Sequence, residues 1–220
     1  MKFCGGADGT RSVDGASGAR LYVEKTCMGA TEDLFAHLAS AQGLNLDRKA
    51  TFQWLTNRGH LEPRLEGHVP EDVLASLSEI YGALGGDEET LGSKRRQLLR
   101  PDFVLAKEEL LIEVDELQHF TSDRLTALEL YPEQVPLGFD LDEYRRLGAT
   151  WSARADSYRA TKQAAGFARH GGRRAQRAYF DSVRDLLTPY FTQRVLRVPA
   201  PEGDGELAFE RFEAFWDSRA

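Results

Sequence analysis

Between positions 101 and 120 the chain gathers acids and a histidine inside an otherwise apolar stretch. Pro101, Asp102 and Phe103 come first, followed by Glu113, Asp115, Glu116, Gln118 and His119. Residues 103–105 and 110–114 have the character of short strands. Lys107 and Glu108 can form a two-residue hairpin loop between them, without the usual Asn-Gly pair. That loop pairs Leu105 with Leu110 and sets Asp102 opposite Glu113, with Cβ atoms roughly 5 Å apart. Alternation then puts Asp115 on the face of Glu113 and turns Leu110, Ile112 and Val114 to the other. Three carboxylates on one face repel each other, and a divalent cation with oxygen ligands offsets that cost. The bland reading is a charged edge hairpin that resists aggregation. The Pro-Asp entry, the acids on one face and the Gln-His pair downstream together favour a metal site.

Pro-Asp followed after about ten residues by Glu-x-Lys is the signature of the PD-(D/E)XK nuclease superfamily, which this stretch resembles. Pro101-Asp102 and Glu113 match it, and Asp115 stands where the superfamily usually has lysine. The run from Ile112 to Phe120 looks most like the branch near the very-short-patch repair endonucleases, with Glu116 where that branch often has glycine. Glu32, in the stretch Thr31-Glu32-Asp33-Leu34-Phe35, matches the acid carried on the superfamily's first core helix. The resemblance covers residues 28–42 and 98–120 well and 150–190 loosely. It does not reach the first twenty residues or 45–95.

The resemblance implies an α/β fold of restriction-endonuclease type, a mixed β-sheet flanked by α-helices, with a helical insert. It implies phosphodiester hydrolysis with Mg²⁺ or Mn²⁺ held by Asp102 and Glu113, and Asp115 completing the coordination or orienting water. His119 becomes a proton carrier, with Gln118 beside it. Glu32 joins the site, although alone it reads as a first-turn acid favoured by the helix dipole. Some superfamily members carry the lysine on another element, and Lys162 is a candidate substitute.

The elements that must position these residues follow from periodicity and punctuation. Residues 1–20 read as an irregular segment and 21–23 as a short strand. Thr31 is expected to cap a helix over about 32–42 that buries Leu34, Phe35 and Leu38 and stops at Gly43. Residues 45–95 form an insert, with an apolar knot at Phe52, Trp54 and Leu55 and a turn at 57–59. Within it a helix runs over roughly 70–84, and 85–89 is a surface loop. After the acidic hairpin core at 98–120, helices are expected over 122–131, 140–147, 152–169 and 173–187. The last two form a basic pair within 152–187, on which Tyr158 and Lys162 share a face. A strand at 195–198 and an amphipathic helix over 207–216 close the chain, and the whole of 1–220 reads as one domain.

A chain of 220 residues, 41% hydrophobic and 29% charged, can bury a core of ordinary size. Its net charge of −7 opposes nucleic-acid binding at first sight. Residues 154–184, however, hold eight basic groups against Asp156 and Asp181, which makes that segment +6 and the remainder −13. The asymmetry suggests one basic face on an acidic body, with Arg173, Arg174 and Arg177 placed to touch phosphates of DNA, RNA being a second candidate. No stretch has the length of a membrane span, and the N-terminus lacks the pattern of a signal peptide. Two cysteines without a CxxC pair make a cytoplasmic location the plain expectation. A zinc site from Cys4, Cys27, His60 and His68 fits no standard spacing and ranks below unpaired structural residues. Two other classes remain open: an inactive nuclease-fold subunit of a defence or repair assembly, and a protein-interaction domain. A homodimer or a protein partner is left open as well.

Overall fold

The computed structural model describes residues 29–158, 160–168, 171–191 and 193–217. The expected strand at 21–23, the irregular segment 1–20, Cys4, Cys27, Arg159 and Arg169 lie outside the described residues.

The acidic hairpin forms in the expected register. β1 (Phe103–Leu105) pairs antiparallel with β2 (Leu110–Glu116), Leu105 opposite Leu110 and Phe103 opposite Ile112. The turn is wider than a two-residue loop. Residues Ala106–Glu108 make a 3₁₀ turn, and Glu109 takes the left-handed conformation (φ 50°) usually given to glycine or asparagine. β3 (Arg194–Ala200) lies parallel to β2 on its other side and completes a mixed three-stranded sheet. In that register Arg197 stands beside Glu113.

The two faces of the sheet differ in kind. Leu110, Ile112 and Val114 pack with Phe103, Leu196 and Val198 against α1 (Ala30–Ala41) and α7 (Gly205–Asp217). Phe35 sits at the centre of this layer, 5.5 Å from the rings of Phe103 and Phe212. Thr31 does not cap α1. Its hydroxyl donates to the Gly203 carbonyl, and Gly29 occupies the cap position. Tertiary contact therefore takes the side chain that local pattern assigned to the helix end. The other face begins with a small apolar patch of Val104, Leu111 and Val195 and then turns charged, with Glu113, Asp115 and Arg197 buried.

Helices α2 (Glu71–Ala83), α4 (Ser122–Glu129), α5 (Leu141–Ser157) and α6 (Gly172–Leu187) build a second core around Leu77, Tyr81, Phe167 and Tyr179. The segment read as an insert therefore packs into the body through α2. Part of its expected surface loop is a short helix, α3 (Glu88–Ser93), capped by the Asp87 carboxylate. The two helices expected over 140–147 and 152–169 are one, α5. Asp140 caps it by accepting from the Glu143 amide. Gly148 reads as a break but is required by packing, because a Cβ there would lie 2.5 Å from Leu125. α5 ends at Ser157, where Asp156 is engaged by Arg174 and the Ser122 amide. Lys162 consequently stands in the loop before α6 and shares no helix face with Tyr158. Among the described residues no helix is long and apolar enough to cross a membrane.

Candidate active site

Asp102 enters β1 with its carboxylate turned onto the sheet, where Oδ2 accepts from the Val114 amide at 2.8 Å. Glu113 lies across from it on β2 and is 2% exposed. Burial pushes the Asp102 carboxyl up to about 7; neighbouring Glu32 adds to the shift, while the Val114 amide and Arg184 oppose it. Burial likewise pushes Glu113 up to about 8, opposed by Arg184 and reinforced by Asp102. Arg184 of α6 brings its Nε within 3.2 Å of Glu113 Oε1. Neither atom makes a hydrogen bond, so the contact is an ion pair without alignment. Glu113 thus keeps a buried oxygen that no donor satisfies.

Two residues further along β2, Asp115 is held from every side. Arg197 Nη1 lies 2.8 and 2.9 Å from its two oxygens, and Tyr144 donates to Oδ2 at 2.8 Å. Burial and the Asp115 charge push the Tyr144 hydroxyl well above its ordinary range. The same Arg197 reaches Asp185 Oδ1 through Nε at 2.7 Å. Arg124 and the Tyr131 hydroxyl close that carboxylate at 2.6 and 2.7 Å. Burial works against the Arg197 charge, but Asp115, Asp185 and Asp181 outweigh it and hold its pKa well above normal. Asp115 is therefore committed to Arg197 and Tyr144. Among the described residues no three His, Cys, Asp or Glu side chains converge as a metal-binding group.

His119 stands in the 3₁₀ turn Leu117–His119 after β2, with Nδ1 2.8 Å from Asp181 Oδ2 and 3.3 Å from Asp115 Oδ1. Asp181 is buried, which alone would raise its pKa. The charges of His119 and Arg197 outweigh burial and hold it well below the usual carboxylate range. Gln118 bonds Glu116 at 3.3 Å. Glu32 lies close enough to act on Asp102 but is shared with Arg48, at 3.3 Å. Lys162 is exposed, and only its carbonyl is engaged, by the Arg173 amide.

The three arginines expected to form a phosphate-binding row do not act alike. Arg173 is exposed, and among the described residues its guanidinium bonds only Gln176. Arg174 pairs with Asp156 at 2.9 Å and is mostly withdrawn from solvent. Arg177 is half-buried and leans toward the Gln118 carbonyl.

Sequence reasoning missed Arg197, Asp181, Asp185, Arg124 and Tyr144. Arg197 left a legible trace as the lone charge inside an apolar strand, where alternation places it indoors. Asp181, Arg184 and Asp185 stand three or four residues apart on α6 and so share a face. Local pattern does not show that this face meets the sheet rather than water. Comparison with protein-family models, with curated proteins and with solved structures returns no match for this chain, so its functional reading rests on its own residues.

Proposed function

We propose that this protein is a divalent-metal-dependent nuclease of restriction-endonuclease type, hydrolysing phosphodiester bonds in DNA. One observation carries the reading. Asp102 and Glu113 face each other across adjacent strands with pKa values pushed up to about 7 and about 8, and Glu113 retains an unsatisfied buried oxygen. Such a pair is stabilised either by protons or by a cation. Mg²⁺ is commonly anchored by one or two protein carboxylates, with substrate phosphate and water supplying the rest, so two acids suffice. Asp102 and Glu113 would hold the ion, which supplies Lewis-acid polarisation of a phosphoryl oxygen when bound.

The surrounding residues have roles that follow from their contacts. Arg184 borders Glu113 and can steady the charge of a phosphate drawn to the site. His119 turns Nδ1 to Asp181, which leaves Nε2 as the nitrogen to accept or return a proton. Asp115 and Arg197 act as positioning residues, fixing β2 against β3 and the Asp181–His119 pair above them.

A second reading is a nuclease-fold module that binds nucleic acid without cutting it. Asp115 in place of the superfamily's lysine, locked by Arg197, and the Arg184 contact to Glu113 favour it. The two separate on incubation of supercoiled, linear and single-stranded DNA with Mg²⁺, Mn²⁺ or chelator. Cleavage that needs the metal and disappears in Asp102→Asn and Glu113→Gln supports the nuclease. Binding without cleavage under every condition supports the module.

A further inference from the structure

Many arginines of this protein whose side chains are described meet an acid. Arg48, Arg64, Arg96, Arg145 and Arg211 do so at the surface, and Arg124, Arg184 and Arg197 in the interior. Three cations for which no acid partner is described lie together in one place. Lys94, Arg95 and Arg173 line a cleft of about 520 Å³ between the segment after α3 and the start of α6. Arg184 forms part of its wall. No acid is among the described residues that line it.

The Lys94 ammonium differs from the other two. Its Nζ is buried and has no hydrogen-bond partner among the described residues, and burial lowers its pKa. It lies against Gly166, where a Cβ would stand 3.1 Å away. Its Nζ is closed to solvent, so what it adds to the cleft is a positive field and not a contact. Arg95 makes no ion pair among the described residues, and Arg173 bonds only the Gln176 amide.

The rest of the lining narrows the class of anion. Leu99 and Phe180 offer apolar surface, and the amides of Gln97 and Gln176 offer donors and acceptors. Positive charge for a phosphate, an apolar wall for a ring and amides for polar edges suit a nucleotide better than a bare ion. The volume lies within the range of small-ligand sites. Arg184 links the cleft to the acids, contacting the Arg100 carbonyl at 3.1 Å and Glu113 at 3.2 Å.

We propose that this cleft binds one nucleotide of a nucleic-acid strand, with Arg95 and Arg173 on its phosphate and the Lys94 charge nearby, and so seats the strand beside Asp102 and Glu113. The identity of the ligand rests on the nuclease reading; the anion-binding character of the cleft does not. Isothermal titration of the full chain in chelator, with thymidine 5′-monophosphate, thymidine and inorganic phosphate, tests it without any cleavage. The monophosphate should bind at least about tenfold more tightly than either of the others, one charge-assisted contact being worth about that factor. Arg95→Gln and Arg173→Gln should each weaken it roughly tenfold and leave thymidine unchanged. Both alter only exposed side chains, which guards against a folding defect; Lys94→Gln removes field and no contact and should act in the same direction but less. Asp102→Asn should abolish cleavage and leave the affinity for the monophosphate intact. Equal affinity for the monophosphate and thymidine, or for the monophosphate and inorganic phosphate, would overturn the assignment, as would indifference to all three substitutions. DNA cleavage persisting alongside that failure would remove the nucleotide cleft and keep the metal site.

Discussion

Glu113 and Asp115 stand two residues apart on one strand and face the same side of the sheet, yet their surroundings are opposite. Asp115 belongs to an inner network in which Arg197, Tyr144, Asp185, Arg124 and Tyr131 satisfy one another at 2.6–2.9 Å. Glu113 belongs to a rim with the half-buried Asp102, where the donors are fewer and poorly aligned. The inner network couples β2, β3, α4, α5 and α6. The rim has fewer partners, and burial raises the pKa of both its acids. Buried ionisable groups left in that state are candidates for chemistry.

The largest effect should come from breaking the inner network. Arg197→Met strips a donor from Asp115 and Asp185 at once and leaves uncompensated buried charge. A cost of about 3–5 kcal/mol follows, or a fall in Tm on the order of 6–20 °C. Thermal melting followed by circular dichroism checks it, and a change within a degree or two would show that the network is not structural.

The rim should respond the other way. Asp102→Asn keeps an acceptor for the Val114 amide while removing a charge that burial and Glu32 disfavour. At pH 8 it should raise Tm by about 2–6 °C and abolish metal-dependent cleavage. A destabilised Asp102→Asn would erase the distinction between the two regions.

The same distinction has a pH signature. Unfolded, the two rim carboxyls titrate near their ordinary 3.8 and 4.5; folded, near 7 and 8. Across that interval the folded state binds more protons than the unfolded, so stability falls as pH rises from about 4 to about 8. Asp181 is held low and acts oppositely: its contribution is present above about 4 and lost on acidification. In chelator the wild type should therefore lose at least about 5 °C of Tm between pH 5 and pH 8, and Asp102→Asn distinctly less. Parallel profiles for the two proteins would place the titration elsewhere.

The outer part of this picture was legible in the sequence, and the inner part was not. The pairing of Leu105 with Leu110 and the shared face of Glu113 and Asp115 follow from alternation alone, which is a local rule. Helices α2, α6 and α7 likewise announce themselves by apolar spacing. The partners of Asp115 do not, because Arg197 lies 82 residues away and meets it only once β3 has found its parallel register on β2. The gap expected between 147 and 152, where Gly148 lies, closes for a related reason. Glycine reads as a helix break locally, and only the approach of Leu125 reveals it as a packing requirement. Lys162 then fell into a loop because α5 ends where Asp156 finds tertiary partners. The basic segment showed its charge in the sequence, but whether each arginine faced an acid or the solvent depended on the fold.

The smallest effects separate those arginines. Arg173→Gln should reduce the slope of log DNA affinity against log salt by about 1, as one phosphate contact is lost. Arg174→Gln should leave the slope unchanged and lower Tm by about 2–4 °C, since its partner Asp156 holds the end of α5. Fluorescence anisotropy across a salt series distinguishes them, and identical slopes in the two variants would return both to one phosphate-binding row.

The most direct measurement is the shift in Tm produced by Mn²⁺ at pH 8, in the wild type and in Asp102→Asn and Glu113→Gln. A cation held by the rim should raise the wild-type Tm by several degrees, with each 100-fold excess over its dissociation constant contributing about 2.7 kcal/mol. The two variants should show little or no shift although they remain folded. A shift of equal size in all three proteins, or no shift in the wild type, would contradict a metal site at Asp102 and Glu113.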